Sequence, residues 1–203
     1  TNPYDAFIGV VDTTGSFVAK RKVASSSGSE KLTAMEKVGD DIYFTMESAS
    51  TANAADIDVS FGKAILSTSS IAIEWVKNYT NTLYSFMDTS MAVDEFDEAY
   101  ISATLRLKSD DTTKDSFWVG KVNTDGDLLW NYRYLTGSTI TMAPRSHIDI
   151  FGDLNVALTK VNSTNQLKTV ETVKLGYDGK IKNHTSNEFN KNNIEGITVK
   201  SVT

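Results

Sequence analysis

Four times in 203 residues a run of β-branched and aromatic side chains stops at a short polar turn and then resumes. A chain patterned this way meets its backbone hydrogen-bonding needs by pairing strands, so the pattern is that of β-hairpins. The first copy is Ala6 to Val11, Asp12-Thr13-Thr14-Gly15 and Phe17 to Val23. The third is Phe117 to Val122, Asn123-Thr124-Asp125-Gly126 and Leu128 to Tyr134, and the fourth is Val170 to Leu175, Tyr177-Asp178-Gly179 and Lys180 to Lys182. The second is the most worn: Ile71 to Val76, Asn78-Tyr79-Thr80-Asn81 and Leu83 to Phe86, with Asn81 where the others have glycine, a residue that left-handed geometry tolerates. Gly15, Gly126 and Gly179 are each predicted to take positive φ, because each follows a turn-forming polar residue between two strands.

A second hairpin follows each of the first three: Met35 to Val38 with Ile42 to Met46, Met91 to Phe96 with Ala99 to Leu107, and Ile148 to Phe151 with Leu154 to Leu158. Two hairpins make a unit of four strands. The landmarks Gly15, Asn81, Gly126 and Gly179 are 66, 45 and 53 residues apart, a period that suits four-stranded repeats. With no long run of 3.6-residue periodicity, the fold class is all-β, built from about four degenerate four-stranded repeats.

The turn followed by an aromatic or aliphatic strand, then a second hairpin ending near "GDDIYFTMES", resembles bacterial and phage β-propeller repeats over most of the chain. Asp125, Gly126, Trp130, Gly152 and Asp153 carry the resemblance best. It implies one β-propeller-like domain with units at approximately 4–62, 63–114, 115–166 and 167–203, the last blade incomplete because only a weak second strand around Ile181 and the stretch Ile194 to Val202 follow Val170 to Leu175. The residues alone leave a β-sandwich or β-solenoid open. An incomplete blade exposes an unpaired edge, and Thr1 to Tyr4 is short for filling it. The expected partners are therefore other protein chains, or copies of this one, that complete the last blade.

Composition removes several function classes. The net charge is −6 with Lys and Arg scattered, which leaves no electrostatic footprint for nucleic acid. No apolar run is long enough to span a bilayer as a helix, so no membrane insertion is expected. The absence of cysteine excludes disulfides, thiolate catalysis and Cys-based metal sites, but fits the cytosol and exported proteins alike. The chain starts at Thr1 with neither Met nor a hydrophobic signal core, as in a processed product, a fragment or a renumbered chain.

Chemistry is sparse. His147 and His184 fall in different repeats and match no metal or triad spacing. Calcium would find oxygen ligands in Asn123, Asp125 and Asp127 or in Asp94, Glu95, Asp97 and Glu98, but such residues ordinarily bond their own turn backbone, so no cofactor is expected. The sequons at Asn78, Asn162 and Asn183 are no more than chance supplies. Trp75 and Trp118 lie inside strands and read as core, at an inner position of their units. Trp130, Tyr132 and Tyr134 alternate along one strand face, and that face is the candidate ligand-binding platform, suited to stacking on a sugar. The loops Ser25 to Ser29 and Ala49 to Ala55 are featureless.

The expected function is a non-enzymatic structural or assembly module of a virion or extracellular surface. A carbohydrate- or receptor-binding module, with a surface glycan as partner, is the alternative, and a glycan-active enzyme comes third.

Overall fold

The computed structural model describes residues 5–23, 28–50, 56–109, 116–136, 139–161 and 167–189. Fourteen strands and no helix are formed by them. Sheet 1 is the hairpin β1 (Ala6–Val11) and β2 (Phe17–Val23). Sheet 2 is β3 (Ser29–Val38), β4 (Asp41–Ala49), β5 (Ile57–Leu66) and β6 (Ile71–Tyr79). Sheet 3 is β7 (Tyr84–Val93), β8 (Ala99–Leu107), β9 (Ser116–Val122) and β10 (Leu128–Leu135). Sheet 4 is β11 (Thr139–Ile148), β12 (Leu154–Val161), β13 (Lys168–Leu175) and β14 (Ile181–Phe189). Every pairing is antiparallel between strands adjacent in sequence, so each sheet is a meander.

All-β architecture with repeated four-stranded sheets is thus established, and two details differ from expectation. The last sheet is complete: β14 pairs with β13 along its length, and no outer strand is missing there. The two-stranded sheet is the first. The sheet boundaries also run half a unit out of phase with the units read from the sequence: the opening hairpin of the first, third and fourth units closes a sheet, the second hairpin of the first three starts one, and in the second unit β6 closes sheet 2 while β7 starts sheet 3. The second copy explains the slip. Ile71 pairs back to Leu66 across Ser67 to Ser70, where the Ser67 N–H donates to the Ser70 carbonyl and the two hydroxyls lie 2.6 Å apart. That turn needs no glycine. Asn78 to Asn81 instead leads from β6 into the next sheet, and Asn81 accepts from the Leu83 and Tyr84 N–H groups.

The β3–β4 turn is shorter, Gly39-Asp40 alone with Gly39 at φ 59°, and five of the other turns share one design. At Asp12, Asp94, Asn123, Asp149 and Gly176 the first residue's carbonyl accepts from the N–H three residues on, and its own N–H donates to the carbonyl four residues on. At the first four of these, the Asx side chain also accepts from the N–H groups two and four residues ahead. The fourth turn position is left-handed in each: Gly15, Gly126, Gly152 and Gly179 have φ of 84°, 78°, 74° and 77°, and Asp97 has 60°. Positive φ at Gly15, Gly126 and Gly179 is as the sequence predicts.

The sheets face one another in chain order around three apolar clusters. Ala6, Ile8 and Val23 meet Ile42, Phe44 and Met46 between sheets 1 and 2. Tyr43, Val59 and Phe61 meet Phe86, Met91 and Ile101 between sheets 2 and 3, and Tyr100, Phe117 and Val119 meet Leu154, Val156 and Leu158 between sheets 3 and 4. Strands sandwiched on both faces read as continuous apolar runs, as β9 does with all seven residues buried. Alternation places the tight turns at one end of the array and the connections β4–β5, β8–β9 and β12–β13 at the other. Most of Ser25 to Ser29 and Ala49 to Ala55, together with Asn162 and Ile194 to Val202, lies outside the described residues.

Candidate functional site

The strand face bearing Trp130, Tyr132 and Tyr134 is on β10, the outermost strand of sheet 3. Its rings form a chain, with centroids 5.5 Å apart from Trp130 to Tyr132 and 6.3 Å from Tyr132 to Tyr134. The chain is covered by the β13–β14 turn of sheet 4: the Trp130 indole N–H donates to the Tyr177 carbonyl at 2.8 Å, and the Tyr134 hydroxyl donates to the Gly179 carbonyl at 2.7 Å. Gly179 lies so close that an added Cβ would stand 2.4 Å from the Tyr132 ring. Burial pushes the Tyr134 phenol up to about 12, reinforced by Tyr132 and Asp178. Only Tyr132 keeps a sizeable free surface, 44% exposed.

Sheet 2 makes the same contact with sheet 3. Trp75 and Tyr79 on β6 hold the Gly126 turn, where an added Cβ would stand 2.6 Å from the Trp75 ring and the Tyr79 hydroxyl donates to the Gly126 carbonyl at 2.5 Å. Trp75 therefore packs as expected, against Phe61 and Gly126, but from the outermost strand and not from an inner one. Trp118 packs edge-on to Phe86 from the third strand.

Beside the clasp on sheet 3, the β7–β8 turn of that sheet and the β11–β12 and β13–β14 turns of sheet 4 border a cleft of about 600 Å³. Phe96, Phe151 and Tyr177 stand on its rim, 70%, 77% and 72% exposed, while Tyr100 forms part of the wall. Tyr100 in turn contacts Trp130 edge to face, which links cleft and clasp. Lys121 is the floor, only 8% of its side chain exposed, 2.6 Å from Glu98 and 3.5 Å from Asp94, with the Tyr100 ring at 4.8 Å. Burial works to lower the pKa of this ammonium, and the bonds to Glu98 and Tyr100 outweigh it, so it is raised and the charge is held. On the opposite wall, Lys174 bonds Asp149 at 2.7 Å and keeps that carboxyl well below the usual carboxylate range.

The repeat explains the geometry. Lys63, Lys121 and Lys174 occupy the third strand of their sheets, directly across from Tyr43, Tyr100 and Asn155. Each carries carboxylates, Lys63 taking Asp41 at 2.9 Å and Glu74 at 3.2 Å. The acidic run at 94–98, read from sequence as possible calcium ligands, thus divides its work. Asp94 Oδ1 shapes the turn while its Oδ2 and Glu98 face Lys121. Asn123 likewise spends its oxygen on the Asp125 and Asp127 N–H groups. No group of three His, Asp or Glu among the described residues could hold a metal ion. His147 is exposed on β11, and His184 bonds Glu171, whose other oxygen takes Lys160 at 2.9 Å. Nothing in the sequence pointed to the lysines, since Lys63 and Lys121 are single charges in largely apolar runs, Lys174 is one of several polar residues in β13, and all but one of the carboxylates facing them are more than twenty residues away.

No family model matches this chain, and no curated protein matches it. Among solved structures it is similar to an exo-β-1,3-galactanase from Phanerochaete chrysosporium, determined with β-1,3-galactotriose, at 11% identity and a TM-score of 0.47. The match covers 72% of this chain and 32% of that one, so the chain spans about a third of the protein it resembles. The expectation of a non-enzymatic structural module of a virion or extracellular surface is corrected here: the solved structure found is that of an exo-β-1,3-galactanase, and no comparison supports a virion structural role.

Proposed function

We propose that the four sheets are blades of a propeller-like array, and that the cleft between sheets 3 and 4 binds a neutral saccharide without cleaving it. The observation that carries this reading is the pairing of exposed rings with fixed charges. Phe96, Phe151 and Tyr177 offer apolar faces to the C–H side of a pyranose, and Asp94, Glu98, Asp149 and Lys121 offer hydroxyl partners at the base of the same cleft. The carboxylates Asp94, Glu95, Glu98 and Asp149 outnumber Lys121 and Lys174 there, which disfavours phosphorylated and acidic sugars. Hydrolysis asks for a carboxylic acid kept protonated near neutral pH, whereas Lys174 holds Asp149 ionised and Lys121 stays charged between Asp94 and Glu98.

Calorimetric titration with a panel of neutral and acidic oligosaccharides tests this. A neutral member should bind, and Phe151→Ala or Tyr177→Ala should weaken it by about tenfold while leaving the fold intact, because both rings are mostly solvent-facing. Tyr132→Ala should leave affinity unchanged. Loss of binding in that variant alone would move the site to β10, and no binding by any member would end the proposal.

A further inference from the structure

Sheet 1 has the outer half of the design that the other sheets have in full. Its Asp12 turn is of the kind that closes hairpins at both positions in the other sheets, so the place of β1 and β2 is set by their packing. β2 packs beside the outermost strand β6, and β1 beside β3, as the third strand β5 packs beside β7. β1 and β2 therefore stand as third and fourth strands, and among the described residues nothing pairs with the other edge of β1.

Two observations mark that edge as an interface. Seven other strands end a sheet, and each carries at least one charged residue, whereas β1 reads Ala-Phe-Ile-Gly-Val-Val. Charge is the ordinary guard of an edge that meets water. Phe7 and Val11 on β1, with Phe17 on β2, are 57%, 54% and 71% exposed. The second observation lies on β3. Met35 pairs with Phe44 and Met91 pairs with Ile101, equivalent places on the innermost strands. Met91 is 8% exposed under sheet 2, and Met35 is 55% exposed where sheet 1 has no inner strands to cover it.

We infer that the β1 edge and the surface around Met35 form a docking site for an apolar β-hairpin, supplied by polypeptide outside residues 1–203, which takes the two inner positions of sheet 1. Residues 190–203 are fewer than the 21 residues of Ser29–Ala49 that fill those positions in sheet 2. A second copy offers no free inner hairpin either, since the second strands β4, β8 and β12 are already buried within their own sheets. The strand beside β1 would be nearly continuously buried, as β4 and β8 are, with main-chain bonds giving affinity and the exposed side chains of Phe7, Val11 and Met35 giving register.

A synthetic peptide of residues 29–49 is the probe, with a peptide of residues 116–135, an outer hairpin, as control. In the chain alone, the Ala6–Val11 amides should exchange quickly and Met35 should oxidise readily with peroxide. The 29–49 peptide should slow both by about tenfold and saturably, and the control should not. Phe7→Lys, at an exposed position, should cost about tenfold in peptide affinity without altering exchange elsewhere. No protection by the 29–49 peptide would overturn the inference. So would β1 protection in the free chain, whether it vanishes on removing residues 190–203 or accompanies a dimeric native mass.

Discussion

The glycines at the fourth turn position separate two costs that sequence cannot distinguish. An added Cβ at Gly152 meets nothing within 4 Å, whereas at Gly179 it meets the Tyr132 ring at 2.4 Å and the Trp130 ring at 3.0 Å. Gly152→Ala should therefore lose only the left-handed strain, about 1 kcal/mol, and Asp97 at the equivalent place shows that a side chain can be held there. Gly179→Ala adds overpacking of about 1 to 3 kcal/mol, and urea unfolding of the two variants should rank them in that order. Glu36 gives the pH counterpart. Its carboxylate accepts the Val93 N–H at 3.0 Å, yet burial raises its pKa above the ordinary 4.5 despite the opposing pull of that bond and of His147. A carboxyl raised in the folded state contributes stability below its unfolded value, and the contribution is lost as pH rises through the folded one. Glu36→Gln keeps an acceptor for Val93 and has no proton to lose, so it should gain stability over the parent at pH 7 and not at pH 4. Equal effects at the two pH values would place the carboxyl in water.

At the scale of elements, most hairpins were legible because their turns advertise themselves. Asp or Asn three residues before a glycine builds the Asx-capped turn seen at Asp12, Asn123 and Asp149, and only left-handed geometry demands the glycine. Ser67 to Ser70 closes without positive φ and left no such mark, so the phase of the sheets was read half a unit off. The clasp was hidden for another reason. Trp75 and Tyr79 on β6, and Trp130 and Tyr134 on β10, are each a Trp and a Tyr four residues apart, but their partners are turns 45 to 51 residues further on, visible only once the sheets face each other. Trp130 thus reads as a joint between sheets, and Trp130→Ala should cost about 3 kcal/mol through lost packing on Tyr100 and Gly179 and an unpaired Tyr177 carbonyl. A loss under about 1 kcal/mol in thermal or urea unfolding would return the indole to the role of a free platform.

Across the whole molecule, the clasp shows which end of the array is finished. Lys63 pairs with Trp75, Lys121 with Trp130 and Lys174 with Asn183; likewise Val59 pairs with Tyr79, Phe117 with Tyr134 and Val170 with Asn187. The aromatic pair that receives the following sheet is a pair of exposed asparagines on sheet 4, flanked by Thr172 and Thr185 and by Asn155 in the place of Tyr43 and Tyr100. A polar outer face is how a stack of repeats ends in water. Restoring the pattern with Asn183→Trp and Asn187→Tyr should therefore convert a solvated face into a receptive one. The double variant is expected to associate with rising concentration in sedimentation velocity, through the exposed face of sheet 4, while the parent shows no association by that face. Its monomer fold should be unchanged, since Asn183 and Asn187 are both exposed. If the double variant sediments like the parent up to about millimolar concentration, the asparagines are incidental and what caps the array is the shape of sheet 4 and not its polarity.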